Sequence, residues 1–197
     1  SRLSIYSRFL EQMETNGILT VSSTDIARNV GVTPAQVRKD LAYFGEFGTR
    51  GVGYSVKDLR GHIMKILGLN REWNVAIIGA GNLGRALSSY KGFGERGFAI
   101  IALFDNDPKK VGGRVGDKDV LYINELPLKA KDPGIDLCII AVPASAAQEA
   151  VDIAVNAGIN GIINFAPTTL NVPKNVLLRR VDLAAQLEVL TFNLRDR

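Results

Sequence analysis

The sequence of 197 residues holds one cysteine, Cys138, and one histidine, His62. A single thiol allows no internal disulfide, which fits a reducing compartment. A single histidine leaves the commonest proton shuttle of enzymes nearly absent. Cys138 sits among apolar neighbours and reads as a small buried hydrophobe rather than a reactive thiolate. His62 reads as a surface or linker residue. Long apolar runs are missing too. The longest, Leu137–Ala144, falls far short of the roughly 20 residues that span a bilayer, so no membrane is expected as a partner. No basic-then-apolar leader opens the chain, and no repeat or low-complexity tract is visible. The chain starts at Ser1 without a methionine, so residues are expected to be missing there. A cytoplasmic location is the default expectation.

What remains is ordinary for a globular protein: 46% hydrophobic and 22% charged residues. The net charge of +4 is a mild bias towards anionic partners. Residues 20–60 hold six Lys/Arg against four Asp/Glu. Such a segment is not a polybasic tail, so binding to nucleic acid has to be argued from geometry.

Near Gly68–Trp73 the pattern changes from short helices and a glycine-rich hairpin to apolar strands alternating with helices. The sequence therefore divides into residues 1–70, 71–181 and a final helix, 182–197. In the first piece Leu3, Tyr6, Phe9, Leu10 and Met13 recur at helical spacing and stop at Asn16-Gly17. A short second helix fits Thr24–Val30, with Ser22, Ser23 or Thr24 as cap and Gly31 at its end. The third is the best marked. Thr33-Pro34-Ala35-Gln36 has the capping-box arrangement, with a hydroxyl cap, an early proline and a glutamine three residues on. Val37, Leu41 and Phe44 then form one apolar face, and Ala35, Arg38, Lys39 and Ala42 lie roughly opposite. Two helices joined by a glycine turn, the second with two cations on its outer face, read as a helix-turn-helix.

The stretch EFGTRGVGYSV, Glu46–Val56, follows. Val52, Tyr54 and Val56 alternate like a strand, and Thr49-Arg50-Gly51 reads as a hairpin tip. This makes a winged helix. Its third helix is expected in the DNA major groove, with Arg38 and Lys39 meeting guanine edges or phosphates and Ala35 and Tyr43 beside them. Arg50, at the wing tip, is placed for a neighbouring minor groove.

In the second piece the strand Val75–Ile78 runs into Gly79-Ala80-Gly81-Asn82-Leu83-Gly84, a G-x-G-x-x-G loop that opens a helix. The first glycine allows the turn, the second lets the backbone approach a pyrophosphate, and the third lets helix and strand pack closely. The next strand, Phe98–Phe104, ends at Asp105, 21 residues beyond Gly84. A carboxylate there grips the adenosine ribose hydroxyls and repels a 2′-phosphate, favouring NAD(H) over NADP(H). Lys109 and Lys110 weaken that preference somewhat. Further strands at Val120–Ile123, Leu137–Val142 and Gly161–Phe165, with a helix at Ala144–Ala157, make an α/β fold: a Rossmann-type, doubly wound parallel sheet. The strand ends carrying Val142, Pro143, Asn164 and Phe165 are expected at the ligand crevice. From Asp182 to Leu194 the tail places Leu183, Leu187, Leu190 and Leu194 at helical spacing. That apolar stripe is expected to pack on its own sheet or on a second subunit.

A dehydrogenase needs an acid–base group and a substrate domain. No Tyr-x-x-x-Lys pair follows the fourth strand, and too little chain remains for a second domain. No catalytic residue and no metal are expected. The dinucleotide is then a signal rather than a reagent. A small NAD-dependent oxidoreductase with a helical dimerisation head is the alternative. A third reading is a regulatory subunit whose winged helix binds protein.

The segments QVRKDLAYFGEFGTRGVGYSV, GAGNLG and GIINFAP resemble the redox-sensing repressor family called Rex, in the same order over nearly the whole chain. The resemblance implies a bacterial homodimer that represses respiratory and fermentative genes and leaves operator DNA when NADH rises over NAD⁺. It implies recognition-helix roles for Arg38 and Lys39, a wing role for Arg50, and cofactor binding by Gly79 to Gly84 and Asp105. It also implies a C-terminal helix exchanged between subunits, and Arg8, Tyr90 and Asp182 as residues that rearrange between redox states.

Overall fold

The computed structural model describes residues 2–49 and 51–195, with only the backbone of Pro133. The chain forms two compact units, Ser1–Arg71 and Glu72–Arg197.

The first unit runs α1 (Arg2–Thr15), β1 (Thr20–Val21), α2 (Ser23–Val30), α3 (Pro34–Ala42), β2 (Tyr54–Ser55) and α4 (Val56–Ile66). Its core joins Leu3, Tyr6, Phe9 and Leu10 of α1 to Ile26, Val37, Leu41, Leu59 and Ile63 of the other helices. Helix boundaries follow local chemistry. Ser22 and Asp25 cap α2 reciprocally, the Asp25 N–H donating to Ser22 Oγ at 3.1 Å and the Ser22 N–H to Asp25 Oδ2 at 2.9 Å. Gly31, at φ 72°, closes α2 in a left-handed conformation. Thr33 Oγ1 accepts the Gln36 N–H at 3.1 Å and so starts α3.

The expectations for Gln36, Phe44 and Val56 are corrected here. The Gln36 side chain does not complete a capping box, because its amide donates to Asp40 Oδ1 at 2.6 Å. Phe44 is not core: α3 stops at Ala42, the helical phase is lost, and Phe44 is 43% exposed, edge-on to Tyr43 at 4.9 Å. The wing pairs only over short stretches. Thr49 and Gly53 exchange backbone hydrogen bonds at 3.0 Å, and Tyr54–Ser55 pairs with Thr20–Val21. Gly53, at φ 100°, lies where a Cβ would meet the Val21 carbonyl oxygen at 2.6 Å, so only glycine lets the wing come this close to β1. Val56 is not in the strand. It opens α4, capped by Ser55, and α4 carries His62, which is exposed at the surface as expected. Arg50, expected at the wing tip, lies outside the described residues.

The second unit runs β3 (Trp73–Ile78), α5 (Asn82–Ser88), α6 (Lys91–Gly94), β4 (Phe98–Asp105), β5 (Arg114–Val115), β6 (Lys118–Tyr122), α7 (Leu126–Lys129), β7 (Leu137–Ile140), α8 (Ala144–Asn156), β8 (Gly161–Asn164), β9 (Leu177–Arg180) and α9 (Leu183–Arg195). The sheet order is β5-β6-β4-β3-β7-β8-β9, parallel throughout except for the β5–β6 hairpin. The chain winds from β3 outwards through β4 to β6, then crosses to β7 on the other side of β3. The order reverses between β3 and β7, where ligands bind in doubly wound sheets. Apolar side chains fill both faces of the sheet. Ala76, Ile78, Cys138 and Ile140 pack against α8 residues Ala147, Ala150, Val151 and Ala154, while Val75, Ile77, Leu103 and Ile139 line the opposite face. Among the described residues no helix is long and apolar enough to cross a membrane.

Candidate functional site

At the β3–β7 junction the strand tips open into a cavity of about 880 Å³. Gly79, at φ 107°, turns the chain away from β3, and a Cβ there would meet Ala141 and come within 2.9 Å of Val142 Cγ1. The Ala141 N–H donates to the Ile78 carbonyl at 2.8 Å and holds the two strand tips together. A Cβ on Gly81 would meet nothing within 4 Å, so this backbone borders open space. A Cβ on Gly84 would land inside the Gly79 carbonyl, so the glycine there brings α5 against the loop. The cavity wall includes Gly79, Gly81, Asn82, Leu83, Asp105, Val142, Pro143 and Phe165, all expected at the crevice from the sequence.

Three expected residues lie elsewhere. Ala80 is buried behind the loop, its N–H donating to Asp105 Oδ2 at 2.8 Å. Gly84 does not border the cavity but sits in the helix–strand packing, the place the motif gave it. Asn164 is 1% exposed and turned into its own loop: its Nδ2 donates to the carbonyls of Ala166 and Thr168, both at 3.1 Å, and its Oδ1 accepts the Ala166 N–H at 2.8 Å. It shapes the Phe165–Pro167 wall without forming it. Conversely Asn106, Asp107, Tyr122, Ile123, Asn124 and Glu149 also border the cavity. The first five lie at or just past the ends of β4 and β6, so the rule that crevices form at strand ends could have found them.

Asp105 is the electrostatic centre of this cleft. Its carboxylate is 6% exposed and accepts hydrogen bonds from the N–H of Asp107 at 2.9 Å, the N–H of Ala80 at 2.8 Å and Lys110 Nζ at 3.1 Å. Burial pushes its pKa up, but the two amides and the ammonium outweigh that and hold it below the usual carboxylate range. A charged acceptor at the end of the second strand suits ribose hydroxyls. At the other end Val142, Phe165 and Pro167 make an apolar wall. The shape, the loop backbone and the donor set fit a dinucleotide. Among the described residues no cluster of three His, Cys, Asp or Glu could hold a metal ion. Burial pushes the Cys138 thiol up to about 12, which makes it a poor nucleophile.

In the first unit α3 presents Ala35, Arg38, Lys39 and Tyr43 to solvent, Tyr43 being 83% exposed. Arg38 Nη1 donates to Ser23 Oγ at 2.9 Å and borders a groove shared with Gly48, Thr49, Gly51, Val52, Gly53 and Tyr54 of the wing. Lys39 borders a second groove with Arg2, Tyr43 and Phe44. The two cations thus flank one exposed helix. Of the three proposed switch residues, Arg8 is exposed on α1 in the first unit. Tyr90 begins α6, 60% exposed and edge-on to Phe93 at 5.1 Å. Asp182 caps α9 through the Ala185 N–H at 3.1 Å and pairs with Arg180 at 2.7 Å. The same α9 buries none of its residues, leaving Leu183, Leu187, Leu190, Phe192 and Leu194 exposed.

Comparison with known proteins fits both units. Residues 1–42 match a family model described as a putative DNA-binding protein N-terminus, and residues 70–168 match the CoA binding domain model. The chain is 59% identical over 195 residues to a redox-sensing transcriptional repressor Rex of Carboxydothermus hydrogenoformans, covering 99% of this chain and 94% of the relative. It is 46% identical over 193 residues to the Rex of Streptomyces coelicolor, covering 98% and 75%. Among solved structures it resembles RSP, a Rex-family repressor, in complex with beta-NAD+ and operator DNA, with a TM-score of 0.94, 38% identity and coverage of 99% and 90%. The NADH complex of RSP gives a TM-score of 0.88 at 36% identity, covering 99% and 91%. The chain belongs to the Rex family of redox-sensing transcriptional repressors.

Proposed function

We propose that the chain is a cytoplasmic transcriptional repressor that binds operator DNA as a homodimer and leaves it when NADH occupies the cleft of the second unit. The observation that carries this is the joining, in one chain similar to Rex over its whole length, of a winged helix-turn-helix to a dinucleotide cleft.

Arg38 and Lys39, with Ala35 and Tyr43, face the major groove, and Arg50 at the wing turn reaches a minor groove. Loop backbone from Gly79 to Leu83 faces the pyrophosphate, and Asp105 accepts the ribose hydroxyls. The apolar wall of Val142 and Phe165 disfavours the positive charge of an oxidised nicotinamide ring and so favours NADH over NAD⁺. The exposed stripe of α9 packs on the partner subunit in an exchanged arrangement. Residues 1–70, 71–181 and 182–197 thus serve as reader, sensor and dimer clasp, and Arg8, Tyr90 and Asp182 change partners between the two states.

Two recognition helices must match successive major grooves, so a dimer geometry that changes their spacing releases DNA. Linkage then requires operator to weaken NADH binding by the factor with which NADH weakens operator binding, typically about 1–3 kcal/mol. Titrating NADH with and without an operator duplex tests this. Weaker NADH binding with operator is the expected result, and equal affinities overturn the reading.

A further inference from the structure

We infer that Asp40 is a positioning residue for operator recognition: its carboxylate, gripped by Arg2, Tyr6 and Gln36, sets the rotation of α3 although it faces no base. The inference rests on the winged helix reading DNA as proposed above.

Asp40 side-chain atoms are 14% exposed, and four hydrogen bonds converge on them. Arg2 donates twice, Nε to Oδ2 at 2.6 Å and Nη2 to Oδ1 at 2.7 Å. Tyr6, itself fully buried, donates its hydroxyl to Oδ2 at 2.7 Å. Gln36, one turn earlier on α3, donates to Oδ1 at 2.6 Å. The bidentate guanidinium and the phenol both come from α1, so one carboxylate ties α3 to α1 with charge-assisted geometry.

The other anchors of α3 constrain its rotation less sharply. Val37 and Leu41 are buried apolar contacts, which are non-directional and fix depth better than rotation. Arg38 bonds to Ser23, but that guanidinium leaves this bond when it turns to DNA. With side chains a helix has a radius of about 5–6 Å, so a roll of about 20° moves a surface group by about 2 Å. Such a shift breaks a bidentate contact to a base edge, whose hydrogen bonds hold only over a few tenths of an ångström. Contacts to phosphates, made through long flexible side chains, tolerate it better.

This gives the test a sign. Asp40→Asn removes a negative charge beside Lys39. If the carboxylate were only one more surface charge, its loss would tighten binding to every duplex. Positioning predicts the reverse for operator alone. An operator is first selected from random duplexes by the wild-type chain, and a scrambled duplex of the same length serves as control. For Asp40→Asn the operator affinity is expected to fall about tenfold, the scale of a lost charge-assisted hydrogen bond. Affinity for the scrambled duplex should stay level or rise. Tyr6→Phe removes one hydroxyl from a buried ring, keeps the charge, and should lower the operator-to-scrambled ratio in the same direction. Both variants are measured below their melting temperatures, with NADH affinity as the control that the second unit is intact. Operator binding equal to or tighter than wild type in both variants overturns the inference alone. A wild-type chain that enriches no sequence overturns it together with the function it rests on.

Discussion

Replacing Asp105 with alanine should blind the repressor without disarming it. The carboxylate contributes in two ways. Towards the protein it accepts the Ala80 N–H at 2.8 Å and so holds the glycine loop. Towards the cleft, which it lines, it is the charged acceptor proposed for the ribose. Losing one charge-assisted hydrogen bond to the ligand removes about 1.5–3 kcal/mol, which raises the NADH dissociation constant about 10- to 150-fold. The orphaned Ala80 amide, buried behind the loop, costs a further 1–3 kcal/mol or so of stability in the second unit. Lys110, 3.1 Å from the carboxylate in the wild type, is left as the local charge, so the preference for NADH over NADPH should narrow as well. The assay is fluorescence anisotropy of a labelled operator titrated with each dinucleotide, after the melting curve has set a safe temperature. Without dinucleotide, operator affinity should match the wild type, because the first unit has its own core. Release at the wild-type NADH concentration would refute the assignment of Asp105 to the cofactor.

Arg38→Ala should cost operator binding about 1–3 kcal/mol and relax specificity at one base position, leaving NADH affinity unchanged; loss of both in parallel titrations would make Arg38 a structural residue. Leu187→Glu together with Leu190→Glu, at positions 64% and 58% exposed in the single chain, should lower the particle mass measured by light scattering towards the 21.3 kDa of one chain and abolish operator binding. Asp40 and Asp105 both have folded-state pKa values below the ordinary carboxylate range. The stability they contribute is therefore complete above about pH 4 and lost as pH falls through the folded values. Melting temperature should drop more steeply with acid in the wild type than in Asp40→Asn. Iodoacetamide at mildly alkaline pH should leave Cys138 unmodified in the native protein and alkylate it after denaturation, with mass spectrometry as the readout.

Features set by neighbours in sequence were the most legible. The Thr33 cap, the Gly31 turn and the G-x-G-x-x-G loop each follow from a few adjacent residues, and the structure has all three. The crevice wall was legible in outline because strand ends in a doubly wound sheet face one way. Partnerships across distance were not. Asp40 on an amphipathic helix reads as a solvated charge, and its partners Arg2 and Tyr6 lie a whole helix-turn-helix earlier. Gln36 matched a capping box in spacing, which needs its side-chain oxygen to accept the Thr33 N–H, but the carboxylate one turn ahead takes its amide N–H and turns the side chain forward. Asn164 stands at a strand tip as a ligand-binding residue would, yet its loop takes the amide. The helix α4 was hidden because Val52, Tyr54 and Val56 alternate like a strand before the helix begins. The edge strand β9, Leu177–Arg180, is short and largely exposed, so it lacks the apolar run that marks a central strand.

The tip of β3 borders the cleft only once β7 has docked beside it, and the chain makes α5, β4 and β6 in between. During synthesis the operator-reading head is therefore complete long before its gauge. A chain stalled or clipped ahead of Leu137 keeps a folded head and half a cradle, deaf to the cell's reducing state. Such a fragment lacks α9 as well, so if α9 clasps the dimer as proposed, the head loses its partner together with its gauge.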